Sequence, residues 1–267
     1  MVGVVGCDAE GDLPREHTVA SASPAATDIV LRLGARDRLV AVSRYDAAPE
    51  VADLPRVGDA NGIDWEVVAQ ERPSAIAIGI EPSRLPAGDR ERAASSGVDL
   101  LDVRVVRLGD VSGAIRTLAA AVGNDPDEAV RTFESGLTPG DSRAGDATRV
   151  LVLLDDDLSF VAGRRNYVDD LIARAGGENA VPADLADWPT LDREALLSIK
   201  PDAVVLLLPG ASERSLARAE QAWRDLPAGE MPPWEAVVVG TEPYVMTPGW
   251  TGIEALAGHL REALEVR

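Results

Sequence analysis

The chain has 267 residues, of which 46% are apolar, and a formal net charge of −19 at pH 7. This apolar content excludes an intrinsically disordered chain, and the length accommodates two lobes of about 100 to 130 residues each. The acidic balance excludes a nucleic-acid partner, because phosphate binding needs a basic face.

Cysteine and histidine are almost absent. Cys7 is the only cysteine, and His17 and His259 are the only histidines. These counts exclude an internal disulfide, a thiolate metal site and a multi-histidine metal site. We therefore expect neither a bound metal nor a cofactor.

The first residues of the chain carry a pattern of small residues. Val4-Val5-Gly6-Cys7 resembles the lipobox, in which a bacterial lipoprotein is cleaved and its cysteine acylated, and the polar run that follows is typical of a tether. No basic and apolar leader precedes it. We predict an extracytoplasmic protein, in the periplasm or on the outer face of the membrane, with a lipid anchor at Cys7. It is cytoplasmic instead if Met1 is the true start.

The first half of the chain alternates short β-branched runs with helical segments. Strands are predicted at residues 18–23, 39–43, 75–79 and 100–105, and helices at 25–33, 64–70 and 84–96. This alternation predicts a parallel sheet in α/β layers. Pro24 fits the first turn of the first helix, where its missing N–H costs nothing.

The second half repeats the plan after two helices, predicted at residues 111–122 and 126–137. Pro139 and Gly140 then break the helical pattern. The later strands are predicted at 149–154, 203–208 and 236–239, and the later helices at 166–175, 193–198, 213–225 and 252–264.

These elements divide the chain into four parts. They are a tether at residues 1–16, an N-terminal α/β lobe at 17–107, a helical connector at 108–147 and a C-terminal α/β lobe at 148–267. The predicted fold class is α/β, with two Rossmann-like lobes joined by a single connecting helix.

Motifs of the common enzymes are missing. The chain contains no Gly-x-Gly-x-x-Gly, no phosphate-binding Gly-x-x-x-x-Gly-Lys and no Gly-x-Ser-x-Gly. Asp155, Asp156 and Asp157 follow a predicted strand, and two interpretations stay open for them: a cation site, or a capped and exposed turn. We therefore expect no catalytic residues. Without the family resemblance, the sequence patterns favour a binding protein.

A series of short motifs resembles the substrate-binding proteins of ABC importers for cobalamin, haem and ferric siderophores. In the first lobe they are Thr18-Val19-Ala20-Ser21-Ala22-Ser23-Pro24-Ala25-Ala26-Thr27-Asp28, Leu54-Pro55-Arg56-Val57-Gly58 and Ile63-Asp64-Trp65-Glu66. In the second they are Phe160-Val161-Ala162-Gly163, Ala175-Gly176-Gly177-Glu178-Asn179, Trp188-Pro189-Thr190-Leu191-Asp192-Arg193-Glu194 and Ile199-Lys200-Pro201-Asp202.

The resemblance covers roughly residues 17–260 and implies a class III periplasmic binding protein. It implies a monomeric, non-enzymatic subunit that encloses a metal chelate between its lobes and delivers it to a permease dimer with its ATPase. A corrinoid ranks first, then a ferric siderophore, then haem. Ala60 and Gly79 stand where close cobalamin binders have tryptophans. The alternative is a cytoplasmic small-molecule sensor or enzyme that kept the fold.

The resemblance also implies site residues. The ligand-binding candidates are Tyr45, Phe160, Arg164, Arg165, Trp188, Tyr244, Met246 and Trp250. Aromatic walls suit a planar macrocycle, and the arginine pair suits an anionic substituent. The competing interpretations are aromatic residues of the core and plain surface charge.

Glu66 and Glu194 match the exposed glutamates, one per lobe, that dock this family on permease arginines. The competing interpretation is that both are ordinary acidic residues at helix N-termini.

Overall fold

The computed structural model describes residues 15–137, 147–227 and 231–265. The lipid-attachment candidate Cys7 and the predicted break at Pro139 and Gly140 lie outside these residues. Two compact units are present. The first runs up to Asp102 and includes Leu118–Asn124, and the second consists of Val103–Thr117 and the chain from Asp125 onward. Within the described ranges, no helix is long and apolar enough to cross a membrane.

The first unit is built on a six-stranded sheet. Its strands are β1 Arg15–Ser21, β2 Leu39–Ser43, β3 Arg56–Asp59, β4 Gly62–Ile63, β5 Pro73–Ile78 and β6 Asp99–Asp102. Its helices are α1 Pro24–Arg32, α2 Trp65–Glu71 and α3 Ala87–Ser96. The strand order is β4-β3-β2-β1-β5-β6, and every pairing is parallel except that of β3 with β4. The sequence prediction missed β3 and β4, which are too short to show a period.

The second unit is built on a four-stranded parallel sheet. Its strands are β7 Thr148–Leu153, β8 Gly177–Asn179, β9 Ala203–Leu207 and β10 Val237–Gly240, in the order β10-β9-β7-β8. The helices of this part of the chain are α5 Pro126–Gly136, α6 Tyr167–Arg174, α7 Arg193–Ile199, α8 Glu213–Arg224 and α9 Trp250–Glu265. The three-residue strand β8 was also missed.

Helix α4, Leu108–Val122, is divided between the units after Thr117. It lies within the predicted connector at residues 108–147, whose boundaries stay a prediction. Two parallel α/β sheets confirm the predicted fold class.

Both sheets have apolar residues on both faces, as parallel sheets covered by helices require. All five residues of β2 and all five of β9 are buried. Helix α1 begins at Pro24, as predicted, with Ser23 at its N-cap. Helix α6 ends before Gly176, whose φ of 88° supplies the left-handed turn into β8.

Candidate ligand-binding and docking residues

Three aromatic side chains of the second unit form one group, which we call the aromatic cluster: Phe160, Tyr167 and Trp188. The ring centre of Trp188 lies 6.4 Å from that of Phe160 and 5.7 Å from that of Tyr167. Trp188 remains 37% exposed, whereas Tyr167 is buried. The cluster therefore presents the indole ring to solvent next to the buried Tyr167 and the partly buried Phe160, an arrangement that suits stacking against a flat ligand.

Tyr167 is the member of the cluster that sequence analysis missed. It is the first residue of α6, and its hydroxyl donates to the carbonyl oxygen of Met246 at 3.0 Å. Burial raises the pKa of Tyr167 to about 12, so this hydroxyl stays a donor at neutral pH. Tyr167 thus contacts Trp188 through its ring and Met246 through its hydroxyl, and the Trp188 ring in turn contacts Phe160. The only sequence signal for Tyr167 was its place directly after the N-cap residue Asn166.

The loop that carries Trp188 is held through the backbone carbonyl oxygen of Asp187. The buried Asn166 side chain donates from Nδ2 to the carbonyl oxygen of Asp187 at 2.7 Å and to that of Gly163 at 3.1 Å. The Gly163 N–H donates to the same Asp187 oxygen at 3.0 Å. A Cβ on Gly163 would lie 2.3 Å from the Ala186 carbonyl oxygen, so only glycine fits here.

Arg164 and Arg165, the predicted anion-binding pair, both have partners within this chain. The Arg164 guanidinium donates to the carbonyl oxygens of Val181 and Asn179, at 2.9 and 2.7 Å, and pairs with Glu178 at 2.9 Å. Arg164 thus binds β8 and the residues directly after it, and its predicted contact with a ligand anion stays a prediction. Arg165 pairs with Asp187 at 2.9 Å in an exposed ion pair, in agreement with the competing interpretation of surface charge.

Trp250 belongs to the core of the second unit. Its side chain is 3% exposed and its ring meets Phe133 edge-on, with 5.5 Å between the ring centres. Its indole N–H donates to Glu254 at 2.9 Å. Other side chains thus contact both its ring and its N–H, in agreement with the competing interpretation of a core aromatic residue, and its role in ligand contact stays a prediction. Tyr244 is partly buried, and its role stays a prediction.

Tyr45 lies in the first unit, two residues after the end of β2, and is 67% exposed. The turn that presents it is closed by the Asp46 N–H, which donates to the Ser43 carbonyl oxygen at 3.1 Å. The Ser43 N–H donates in return to Asp46 Oδ2 at 2.9 Å. Sequence analysis missed Asp46, although serine and aspartate are both common turn residues.

Asp46 is itself buried, at 7% exposure. This burial raises the pKa of its carboxyl to about 6, against the opposing effect of hydrogen bonds from Thr27 and Ser43. A carboxyl with this pKa changes its charge near neutral pH.

Glu66 and Glu194 are exposed and occupy equivalent positions in the two units. Each is the second residue of a seven-residue helix, Glu66 of α2 and Glu194 of α7. The N-cap residues are Asp64 and Asp192, whose side chains accept N–H groups of the first turn. Both glutamates are thus exposed at the same position of a helix that begins with an aspartate N-cap.

The equivalence extends along both helices. The residue directly after α2 is Arg72, with φ 47°, and the residue directly after α7 is Lys200, with φ 48°. A proline follows each of them. Residues 63–74 therefore match residues 191–202 without a gap. Acidic residues at ordinary helix N-termini need no such match, so it favours a shared role for the two segments.

The acidic turn after β7 is capped. Asp155 Oδ1 accepts the N–H groups of Ser159 and Phe160 at 2.9 and 3.2 Å, and Oδ2 accepts the Ser159 hydroxyl at 2.7 Å. Asp157 pairs with Arg218. Among the described residues, no group of three or more acidic, histidine or cysteine side chains could hold a metal ion. The hydrogen bonds of Asp155 agree with the interpretation of this segment as a capped turn.

Comparisons with known proteins agree with this architecture. A family model described as periplasmic binding protein matches residues 19–230. The Vitamin B12-binding protein of Pectobacterium carotovorum subsp. carotovorum (strain PC1) is 24% identical over 232 residues, which cover 84% of this chain and 81% of that protein. YvrC of Bacillus subtilis (strain 168), an uncharacterized ABC transporter substrate-binding lipoprotein, is 25% identical over 199 residues, which cover 70% of this chain and 62% of that protein.

Among solved structures, the periplasmic heme binding protein HutB of Vibrio cholerae superposes with a TM-score of 0.73 at 20% identity. The superposition covers 94% of this chain and 100% of that one. This likeness shows the fold, and the family match extends over most of the sequence. The chain belongs to the periplasmic binding protein family.

Proposed function

We propose that this protein is the extracytoplasmic substrate-binding subunit of an ABC importer and that its ligand is a metal chelate. A corrinoid is the first candidate, followed by a ferric siderophore and haem. The observation that carries the proposal is the exposed Trp188 ring of the aromatic cluster. Tyr45 offers a second exposed ring in the other unit. Both suit the wide, flat faces of corrinoids and haem, since stacking supplies contact area and orientation together.

The names of the related proteins support the same ligand class. The Pectobacterium relative is named for vitamin B12 and the Vibrio structure for haem. Both ligands are metal macrocycles, so the proposal follows the chemistry that they share.

A titration of the purified protein with cyanocobalamin, cobinamide, haem and several ferric siderophores tests this proposal. Absorbance reports binding, and the melting temperature rises because a ligand that binds the native state stabilises it by RT ln(1 + [L]/Kd). We expect one class to bind and Trp188→Ala to weaken it about tenfold, the equivalent of about 1.4 kcal/mol of lost stacking.

A matched control removes a different tryptophan of the same unit. Trp234 packs on Trp223, with 6.3 Å between ring centres, outside the aromatic cluster. We expect Trp234→Phe to bind as the wild type does. Unchanged binding in Trp188→Ala would refute the assigned surface, and no binding of any chelate would refute the ligand class.

The second part of the proposal is that Glu66 and Glu194 dock the protein on permease arginines. The matched frame of α2 and α7 supports this role, because two equivalent carboxylates can each form a charge-assisted pair. We expect Glu66→Gln with Glu194→Gln to bind ligand normally and to stimulate the ATPase of the reconstituted importer poorly. Glu213→Gln, at the first turn of α8, is the control. Full stimulation by the double variant would refute the docking role.

The third part concerns location. We propose that the protein acts outside the cytoplasm and carries a lipid anchor at Cys7. Expression behind a lipoprotein leader should place the wild type in the membrane fraction and Cys7→Ser in the soluble extracytoplasmic fraction. Equal distribution of the two proteins would refute the anchor.

A further inference from the structure

A buried polar network adjoins the turn that carries Tyr45. Its members are Ser21, Thr27, Ser43 and Asp46, which are 0%, 1%, 0% and 7% exposed. They come from β1, α1, β2 and the turn after β2. The network therefore connects the turn that presents Tyr45 to the sheet and to the first helix of this unit.

The Ser21 and Thr27 hydroxyls supply two protons for three oxygen–oxygen contacts of this network. The Ser21 hydroxyl donates to the Ser23 carbonyl oxygen at 2.8 Å. The Thr27 hydroxyl lies 2.8 Å from Ser21 Oγ and 2.9 Å from Asp46 Oδ2, yet it carries one proton. All three contacts hold a proton when Asp46 is protonated on Oδ2. The geometry thus fits a neutral carboxyl better than a carboxylate.

The second carboxyl oxygen leads to the same conclusion. Asp46 Oδ1 is buried and has no hydrogen-bond partner among the described residues. An unpartnered oxygen of a neutral acid costs some free energy, but an uncompensated buried carboxylate costs far more. Ionisation therefore acts against the closed form of the turn.

The charged groups that face Asp46 do not cancel this cost. Arg56 of β3 attracts the carboxylate, and the buried Asp28 of α1 repels it. The Arg56 guanidinium is directed to the Ser43 carbonyl oxygen, at 3.4 Å. The nearby Arg44 is paired with Asp59 at 3.0 Å. Burial remains the largest influence on Asp46.

We propose that Asp46 is the positioning residue for Tyr45, and that ionisation of its carboxyl loosens the turn that presents the tyrosine ring. The closed turn holds Tyr45 rigidly at low pH. At higher pH the carboxylate gains water when the turn opens, so opening becomes easier. The consequence for ligand contact rests on the proposed function, whereas the behaviour of the turn does not.

The expected size of the effect follows from linkage. The pKa of Asp46 lies at about 6 in the closed turn, against 3.8 for a solvated carboxyl. Each unit of pKa difference changes the equilibrium tenfold, so full hydration in the open form raises the opening constant by about 160-fold at most. The rise begins near pH 4 and is complete above pH 6.

Hydrogen exchange at the Ser43 amide measures this opening directly, because that N–H donates to Asp46 Oδ2 at 2.9 Å. After correction for the intrinsic exchange rate, we expect the opening constant of the wild type to rise 10- to 100-fold between about pH 4.5 and 7.5. Asp46→Asn, which does not titrate, should show no such rise. Asp89→Asn is the matched control, because Asp89 also accepts a backbone N–H in this unit, that of Ile63 at 3.2 Å.

A flat pH profile in the wild type would overturn the proposal, and so would a rise that persists in Asp46→Asn. A ligand experiment tests the positioning role at fixed pH. With the chelate that binds in the titration above, Asp46→Ala and Tyr45→Ala should each weaken binding, and the double variant should bind no worse than Tyr45→Ala alone. Additive losses would overturn positioning through Tyr45.

Failure of every chelate to bind would instead refute the proposed function and the ligand part of this inference with it. The exchange profiles would still decide whether Asp46 controls the turn. Asp46→Asn keeps that decision available if Asp46→Ala does not fold.

Discussion

Gly163→Ala is expected to destabilise the protein strongly through the loop that carries Trp188. The new Cβ would lie 2.3 Å from the Ala186 carbonyl oxygen, and a real contact needs at least 3.0 Å, so the backbone must move by about 0.7 Å. That movement strains the hydrogen bonds that Asp187 accepts from Gly163 and Asn166. Overpacking costs about 1–3 kcal/mol and each lost hydrogen bond about 1 kcal/mol. We therefore expect a loss of about 3 kcal/mol or more.

Chemical denaturation of wild type and variant measures this free energy of unfolding. Gly258→Ala in α9 is the matched control, because a Cβ there meets nothing within 4 Å. In a helix interior it should stabilise by up to about 1 kcal/mol. If Gly163→Ala unfolds within about 0.5 kcal/mol of the wild type, the packing argument for the Trp188 loop is wrong.

Three further predictions concern charge and helix capping. The folded state favours the protonated form of Asp46. The carboxyl therefore stabilises the fold fully below pH 3.8, and this stabilisation is lost as pH rises through about 6. The wild type should lose up to about 3 kcal/mol over this range relative to Asp46→Asn, and parallel stability curves would refute this. Because the net charge is −19, the midpoint of thermal unfolding should rise between about 0.05 and 1 M NaCl. A constant midpoint would show that self-repulsion is unimportant. Asp64→Ala and Asp192→Ala should each cost about 1 kcal/mol of unfolding free energy, since both cap a helix; Asp99→Ala, exposed on β6, is the control that should change little.

The type and order of the principal elements were predictable because they depend on local patterns. The buried run of β9 and the proline at the start of α1 predict a strand and a helix wherever they occur. The N-cap aspartates Asp64 and Asp192 are equally local. Strands β3, β4 and β8 escaped prediction because two to four residues form only when a neighbouring strand pairs with them.

The candidate site depended on contacts between distant segments. Trp188 and Trp250 are the same residue type, yet one is exposed and the other is in the core, because Phe133 from another helix covers Trp250. Likewise, the Arg164 guanidinium is occupied by the carbonyl oxygens of Asn179, the last residue of β8, and of Val181. No local period encodes either outcome.

The sequence by itself therefore determined the two-unit α/β plan, the binding-protein family and the matched positions of Glu66 and Glu194. Only the tertiary structure decided which aromatic side chains reach solvent, which arginines are already occupied and that Asp46 is buried. The physical reason is that helix and strand formation depends on neighbours along the chain. Exposure, hydrogen bonding and pKa depend instead on whatever the fold packs against each side chain.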